Sequence, residues 1–487
     1  MQRVVIIGGG IAGLATALYL RDAAAALPGG LEVSILEAGS RIGGNIRTDY
    51  CDGFTVEHGP NGYLDNAPAT AALMERLGLT PELQKADDRA SKRYLYRDGN
   101  LHLLPTGPLS FLSSSILSPR GRARLLLEPF ARRKSVGKDE TVHEFASRRI
   151  GAEAADVLID AMVSGVFAGD IRSLSLASTF PKLAAMEAEH GSLVRAMLAR
   201  LRTRGADAGD RSRAGGPSGP GGTLTSFRQG LDTLIERLAT ELEGSIYCDR
   251  EVAAIEPLTS SYSNEWRVVT TTGQTFDANA VIVAIPAPRA APLLTAVDRT
   301  VSETIGQIPT ASLAVLALGY DAAAIGGRPD GFGFLIPRDQ GLRTLGCLWD
   351  STIFPGRAAE DKVLMRVMIG GAHDPEAVEL DDESLLSIAA AELKTTMSLT
   401  AAPAFTRVYR YPLGIAQYVR GHQANLDAIH ECLTKRPGLW IAGSSFYGIS
   451  MNACIEQARS QAEKILDSLA VIRRKTSRRD ADQNRNV

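Results

Sequence analysis

The chain opens on a pattern that leaves few folds available. Val4-Val5-Ile6-Ile7 is a β-branched run that reads as a buried parallel strand. Gly8-Gly9-Gly10-Ile11-Ala12-Gly13 follows at once, and Leu14 to Ala24 continues as an Ala/Leu-rich helix. Gly8, Gly10 and Gly13 fill a G-x-G-x-x-G spacing. The first allows a tight turn, the second lets backbone approach a pyrophosphate, and the third lets helix pack closely on strand. The helix start offers free N–H groups and a positive dipole end to phosphates. A second run, Glu32 to Leu36, ends in Glu37, roughly 24 residues past Gly13, where a carboxylate can accept hydrogen bonds from ribose hydroxyls. Strand, glycines, helix, strand and acid in this order predict a Rossmann-like unit holding a dinucleotide.

The next residues bear on which dinucleotide. Arg41-Ile42-Gly43-Gly44 adds a cation able to meet phosphate charge and two glycines that let backbone lie along an extended cofactor. This E-x-x-x-R-x-G-G arrangement resembles the FAD proteins of the amine oxidase and porphyrinogen oxidase group, and NAD dehydrogenases do not usually carry it.

At 487 residues the chain has room for two or three domains. Hydrophobic content of 45% and charged content of 22% are those of an ordinary globular protein. A net charge of −2 gives no global reason to expect nucleic acid or a membrane as a partner. Cys51, Cys248, Cys347, Cys432 and Cys454 are scattered without a C-x-x-C pair, so no metal site is expected and a reducing, cytoplasmic setting fits at least as well as a secreted one. The first strand begins too early to leave room for a signal peptide. No apolar run reaches the length of about 18 residues needed to span a bilayer.

Along the chain, Phe54 to Glu57 alternates like a strand and Gly59-Pro60-Asn61-Gly62 breaks it, leaving His58 as a solvent-facing loop residue. Ala69 to Leu79 is an amphipathic helix. Arg93 to Tyr96 and Asn100 to Leu104 form a hairpin around Asp98-Gly99. Pro108 to Pro129 reads as helical, with apolar anchors beside a basic cluster reaching Lys134. That pattern suits an anionic membrane surface, or equally a helix packed in its own domain. Two helices are expected in Thr141 to Ala168 and one from Pro181 to Leu201. Thr203 to Gly222 is too polar to bury anything and is expected to be disordered. The strand Ala280 to Ala287 returns the chain to the nucleotide unit. Ser312 to Tyr320, Phe332 to Ile336, Arg343 to Trp349 and Val363 to Ile369 build a second sheet, and Glu383 to Leu399 is a helix. Leu439 to Gly443 leads through a turn into a helix over Asn452 to Leu469, and the tail from Arg473 is expected to fray.

The fold class is therefore α/β, with a discontinuous Rossmann-like FAD-binding domain, a mixed-sheet substrate domain and an inserted helical lobe. The expected divisions are 1–90, 223–290 and 410–470 for the first, 291–409 for the second and 91–202 for a substrate and helical lobe. Residues 203–222 are the loop and 471–487 the tail.

Four further segments carry a resemblance along essentially the whole chain. They are Phe54 to Gly62; Ser164-Gly165-Val166-Phe167-Ala168-Gly169-Asp170 with Leu174-Ser175 and Thr179-Phe180-Pro181; Thr344 to Ser351 with Phe354-Pro355; and Gly443 to Cys454. In these the chain resembles the oxygen-dependent protoporphyrinogen/coproporphyrinogen oxidases of haem biosynthesis. The resemblance implies that FAD is held by Gly8, Gly9, Gly10, Ile11, Ala12, Gly13, Glu37, Ala38, Arg41, Gly44 and Asn45, and by Gly59, Pro60, Asn61 and Gly62. It adds Val252, whose backbone would meet adenine, and Ile449, Ser450 and Met451, which would close on the flavin. Gln423 stands where some relatives place a tryptophan over the flavin. Ala453 departs from the acidic residue many relatives carry there. For substrate, the resemblance implies Arg93 against a propionate, with Gly169, Phe332, Gly333, Leu335 and Met368 around the flat macrocycle. On the residues alone, Arg93 reads equally as a solvated strand edge.

The implied reaction removes six electrons and six protons from a porphyrinogen in three FAD cycles, each reoxidised by O₂ with release of H₂O₂. Hydride leaves a meso carbon for the flavin, and no side chain, His58 included, is expected to be an indispensable proton carrier. Peripheral membrane contact, hand-over to the next haem-pathway enzyme and homodimerisation are further implied. Two rival readings share the nucleotide motif: an amine oxidase, which needs an aromatic cage to which Phe446-Tyr447 is the nearest match, and a GDI-like prenyl carrier without flavin chemistry.

Overall fold

The computed structural model describes residues 1–24, 29–105, 114–134, 137, 139–204, 221–260 and 263–483. Its first sheet has five parallel strands in the order Ile246–Tyr247, Leu31–Leu36, Gln2–Ile7, Ala280–Val283 and Leu439–Ile441. Every strand leaves its C-terminal end on the same edge, and the glycine turn after Ile7 lies there. Both faces are covered, which is why the strands read as unbroken apolar runs. On one face lie the helix Ile11–Ala24 and the start of the long helix Met451–Gln483; on the other lie Ala287–Leu294 and Arg299–Gly306. A three-stranded antiparallel sheet, Val252–Ser260, Ser263–Thr270 and Thr275–Ala278, adjoins the second face.

The second sheet is mixed and has seven strands, in the order Phe405–Ala416, Thr310–Asp321, Lys362–Gly370, Thr344–Leu348, Gly333–Leu335, Arg93–Arg97 and Asn100–Leu103. The strand Lys362–Gly370 shows how its two faces differ. Val363, Met365, Val367 and Ile369 pack under the helix Asp382–Met397, with Leu385, Ala389 and Leu393. Alternation turns Leu364, Arg366 and Met368 the other way. Leu364 there meets Phe54 and Val56 from the nucleotide part of the chain.

Several expectations need correction. The hairpin Arg93–Leu103 belongs to the second sheet and not to the helical lobe, because Arg93 to Leu95 pair in parallel with Gly333 to Leu335. Likewise Phe405–Ala416 pairs along Thr310–Asp321, so this sheet runs past residue 410. The helix expected from Pro181 splits into Pro181–His190 and Leu193–Arg204, since Gly191 takes a φ of +68° that ends the first. Pro108 to Pro129 contains one described helix, Pro119–Leu126, followed by a 3-10 turn at Glu128–Phe130; residues 106–113 lie outside the described residues. The last helix continues to Gln483, through a charged stretch with neither Gly nor Pro to end it. Most of the Thr203 to Gly222 loop also lies outside the described residues. Among the described residues no helix is long and apolar enough to cross a membrane.

Candidate active site

The N-terminal glycines form a tight cradle. A Cβ on Gly8 would meet Ile285 at 2.7 Å and the Ala284 carbonyl at 2.8 Å, and one on Gly13 would strike the Gly8 carbonyl. Gly10 differs: a Cβ there would meet nothing within 4 Å. Glu37 closes the cradle, accepting from Gly9 N at 2.8 Å and Gly39 N at 2.9 Å. Gly43 N donates to Gly9 O at 2.7 Å, which lays the Arg41 to Asn45 turn beside the glycines. Gly44, at a φ of +58°, abuts Gly10, and a Cβ on Gly59 would strike the Asn45 carbonyl. Asp249 N donates to Gly39 O, and Arg250 N donates to Glu37 O, next to Ala38, which brings the Val252 strand alongside. From the other end of the chain, a Cβ on Gly443 would lie 3.6 Å from Ala12. Ser450 Oγ accepts from Ala453 N at 3.1 Å at the start of the last helix, Met451 packs into the same core as Ile6 and Leu14, and Ile449 packs against the helical lobe.

Two expected contacts take other places. The Arg41 guanidinium donates to Ile46 O at 3.0 Å and to Asp232 Oδ1 at 3.2 Å, so its charge is already met within the protein. Gln423 is exposed and donates to Asp427 one turn along its own helix, 2.9 Å away. The inward position of that helix is His422, 3% exposed, with Nε2 3.2 Å from Phe446 O. Beside it, stacked at 4.1 Å, Tyr418 donates to Ser444 O at 2.5 Å and accepts from Gly448 N at 2.7 Å. Burial pushes the Tyr418 phenol above its ordinary value. Tyr418 and His422 thus hold the Gly443 to Gly448 turn in shape.

The loop Gly59 to Gly62 is tied to the second sheet by buried charge. Glu57 and Arg357, each 1% exposed, pair at 2.9 Å, and Glu57 also accepts from Thr48 Oγ1 and Leu231 N. Arg366, 2% exposed, donates through Nη1 to Glu57 O and Gly59 O at 2.9 Å each, and its Nε contacts Asp350. Asp350 in turn accepts from Asn61 Nδ2 at 3.1 Å. Burial pushes the Glu57 and Asp350 carboxyls upward, against the pull of the neighbouring guanidinium groups. Sequence reasoning missed Arg366 and Asp350, although a single arginine inside Val363 to Ile369 is a signal, because such a charge must be paired if the strand is buried.

His58 is not solvent-facing. Its ring stacks on Tyr409 at 3.7 Å and its Nε2 lies 2.7 Å from Asp49 Oδ2, with the side chain 12% exposed. Burial lowers the His58 pKa, and Asp49 opposes that shift. Burial alone would raise Asp49, but hydrogen bonds from His58 and Tyr409 outweigh it and hold the carboxyl below its ordinary value.

The register of the second sheet gathers most of the expected substrate residues on one face. Arg93 lies opposite Gly333, Leu95 opposite Leu335, Leu335 opposite Gly346, and Gly346 opposite Met368, the face that Arg366 shares. The helix Asp160–Phe167 crosses it, with Gly165 against Leu335. Gly169, just beyond, packs on Gln417, whose Nε2 donates to Phe167 O at 2.8 Å. Arg93 is half-buried with its guanidinium 4.6 Å over the Phe332 ring. Burial lowers its pKa, and no carboxylate among the described residues pairs with it. One group of candidate metal ligands also comes together, Asp160, Asp170 and His373, but Arg338 donates to both aspartates, at 3.2 and 3.0 Å. Their charge is met from within the protein.

The donor set fits a bound FAD. Gly10 leaves its side of the cradle open, two helix N-termini converge there, and Asn61 Oδ1 is a buried acceptor without a partner among the described residues. An amine cage finds less support, since Phe446 is 1% exposed within the core and Tyr447 packs against that core with its hydroxyl 2.6 Å from His430 Nε2.

Comparison with known proteins agrees with this arrangement. The family model for flavin containing amine oxidoreductase matches residues 11–466. Coproporphyrinogen III oxidase of Bacillus subtilis (strain 168) is 31% identical over 486 residues, covering 96% of this chain and 98% of that protein. Protoporphyrinogen oxidase of Homo sapiens is 31% identical over 479 residues, with 96% and 98% covered. A crystal structure from Exiguobacterium sp. 255-15 superposes with a TM-score of 0.80 at 27% identity, covering 96% of this chain and 99% of that one. A reduced UDP-galactopyranose mutase, 14% identical with a TM-score of 0.70 and 98% of each chain covered, shares the fold.

Proposed function

Because the chain belongs to the flavin containing amine oxidoreductase family, with FAD as its cofactor, we propose that it oxidises a porphyrinogen to the porphyrin at the expense of O₂. Bound FAD supplies the hydride acceptor. The protein's own part is placement: the cradle from Gly8 to Gly13, Glu37, Gly44 and Asn45, the loop Gly59 to Gly62, Val252 and Ile449 to Met451 hold the cofactor. The sheet face with Gly333, Leu335 and Met368 supplies a flat apolar wall, with Phe332 and Gly169 at its margins. Such a wall with few polar anchors suits a macrocycle.

Arg93 carries this reading. A half-buried guanidinium without a carboxylate partner among the described residues, stacked on Phe332 beside an apolar wall, is poised for a ligand carboxylate. A propionate contact is present in ground and transition states alike, so its loss acts on KM. Arg93→Leu is expected to raise KM for the porphyrinogen about 30-fold, the cost of a charge-assisted bond worth about 2 kcal/mol, while kcat changes less than threefold. A KM within twofold of wild type would remove Arg93 from the substrate site.

The helical lobe supports a second element of the proposal, peripheral contact with an anionic membrane face of the cytoplasm. Leu126, Leu127 and Phe130 are exposed by 54% to 80%, and Val194, Met197 and Leu198 by 39% to 56%. Glu128 joins the two groups by accepting from Leu193 N at 2.9 Å and Val194 N at 3.2 Å. Arg120, Arg132, Arg133 and Arg195 are exposed around them. Apolar side chains ringed by cations bind anionic bilayers, each cation adding about 1 kcal/mol. Co-sedimentation is expected with phosphatidylglycerol vesicles but not with phosphatidylcholine vesicles, and Phe130→Asp should weaken it at least about tenfold. Equal recovery with both lipids would refute the membrane element.

A further inference from the structure

Asn61 belongs to the loop assigned to the flavin, yet its amide is oriented by the opposite domain. Its Nδ2 donates to Asp350 Oδ1 at 3.1 Å, and the second oxygen of Asp350 contacts Arg366 Nε. Asp350 is 1% exposed and Arg366 2%. Burial pushes Asp350 upward, opposed by Arg366 and Arg357. Arg366 is always charged and would lose its counter-charge if Asp350 took up a proton, so the pair is ionic. A carboxylate only accepts hydrogen bonds. The amide can therefore offer Asp350 nothing but its NH₂ group, and the oxygen must turn away. There Asn61 Oδ1 is buried, with no partner among the described residues. Arg366 meanwhile holds the backbone on which Asn61 sits, through Glu57 O and Gly59 O.

We propose that Asp350, braced by Arg366, is a positioning residue that locks the Asn61 amide with its oxygen aimed into the site as the acceptor for an N–H donor. Two donors share this chemistry, an N–H of the flavin ring and a pyrrole N–H of the porphyrinogen. The inference rests on the reading of this site as a flavin and porphyrinogen site. It goes further in naming which atom receives the donor, and in assigning the orientation of that atom to residues that touch neither ligand.

A mutant cycle tests it with two readouts, the FAD dissociation constant from quenching of flavin fluorescence on adding apoprotein, and KM for the porphyrinogen. Asn61→Leu should raise one of them about tenfold, as loss of a buried hydrogen bond does. A raised FAD constant identifies the flavin N–H as the donor; a raised KM with an unchanged FAD constant identifies the pyrrole. Asp350→Asn lets the amide turn over and should raise the same constant by about five- to tenfold. Added to Asn61→Leu it should raise it no further, because it acts only through the amide. If Asp350→Asn does not fold, Asp350→Glu, which keeps a carboxylate for Arg366 while displacing the acceptor from the amide, takes its place. Additive effects of the two substitutions, or both constants unchanged in Asn61→Leu, would overturn the proposal. Should wild-type protein fail to oxidise the porphyrinogen, the function assigned above falls, while the FAD titration still decides this one, and an unchanged constant there overturns it.

Discussion

Gly13→Ala and Gly10→Ala are expected to abolish flavin binding by two different routes that stability measurements separate. At Gly13 the new methyl group would strike the Gly8 carbonyl, with Ile6 Cγ2 at 3.2 Å beside it. The obstacle is backbone at the end of a central strand, so the turn itself has to shift. Overpacking of this kind costs about 1–3 kcal/mol, and the displaced turn no longer presents its N–H groups to a pyrophosphate. Gly13→Ala should therefore lower the thermal midpoint and weaken FAD binding by at least about 100-fold. At Gly10 a methyl group meets no protein atom within 4 Å, and the residue has no positive φ to strain. Gly10→Ala should melt like the wild-type apoprotein and still lose FAD by a similar factor, because the methyl occupies the approach of the cofactor. Calorimetry of the apoproteins with flavin titration checks both. Wild-type affinity in Gly10→Ala would mean that the pyrophosphate lies elsewhere.

The other large effect is expected at Arg366. It is the buried cation that ties the Gly59 to Gly62 loop to the second sheet, and its removal leaves Asp350 buried without its contacting cation and two carbonyls without a donor. Breaking one side of such a pair costs about 3–5 kcal/mol, whereas replacing both sides by apolar groups is often neutral. Arg366→Met should destabilise the protein by that amount in denaturant titration, and Arg366→Met with Asp350→Leu should recover most of it. A loss below about 1 kcal/mol in the single variant would place the pair in solvent and not in the core.

How much of this was legible in the sequence follows from how local each feature is. The cradle was, because strand, glycines, helix and Glu37 lie within forty-odd residues and each has its own physical signal. The pairing of the second sheet was legible only in part. Arg93 to Tyr96 was recognised as a strand, but its sheet is decided by Gly333 to Leu335, far along the chain, and periodicity says nothing about partners. His58 was misjudged for the same reason: a glycine-proline neighbourhood looks exposed until Tyr409 covers it. Gln423 missed the inner face of its helix by one position, which is a rotation of about 100°. His422 and Tyr418 carry no local pattern that marks them as the brace of the Gly443 to Gly448 turn, because their partners are backbone carbonyls and an N–H.

Oxidation of a porphyrinogen with FAD and O₂ is read out by turnover of purified holoprotein. Protoporphyrinogen IX, coproporphyrinogen III and a set of primary amines and polyamines are offered in parallel in air, with porphyrin fluorescence and H₂O₂ followed together. Porphyrin is expected from at least one porphyrinogen, with three H₂O₂ per porphyrin formed and no H₂O₂ from the amines. H₂O₂ from an amine, with both porphyrinogens oxidised no faster than in buffer, would contradict it.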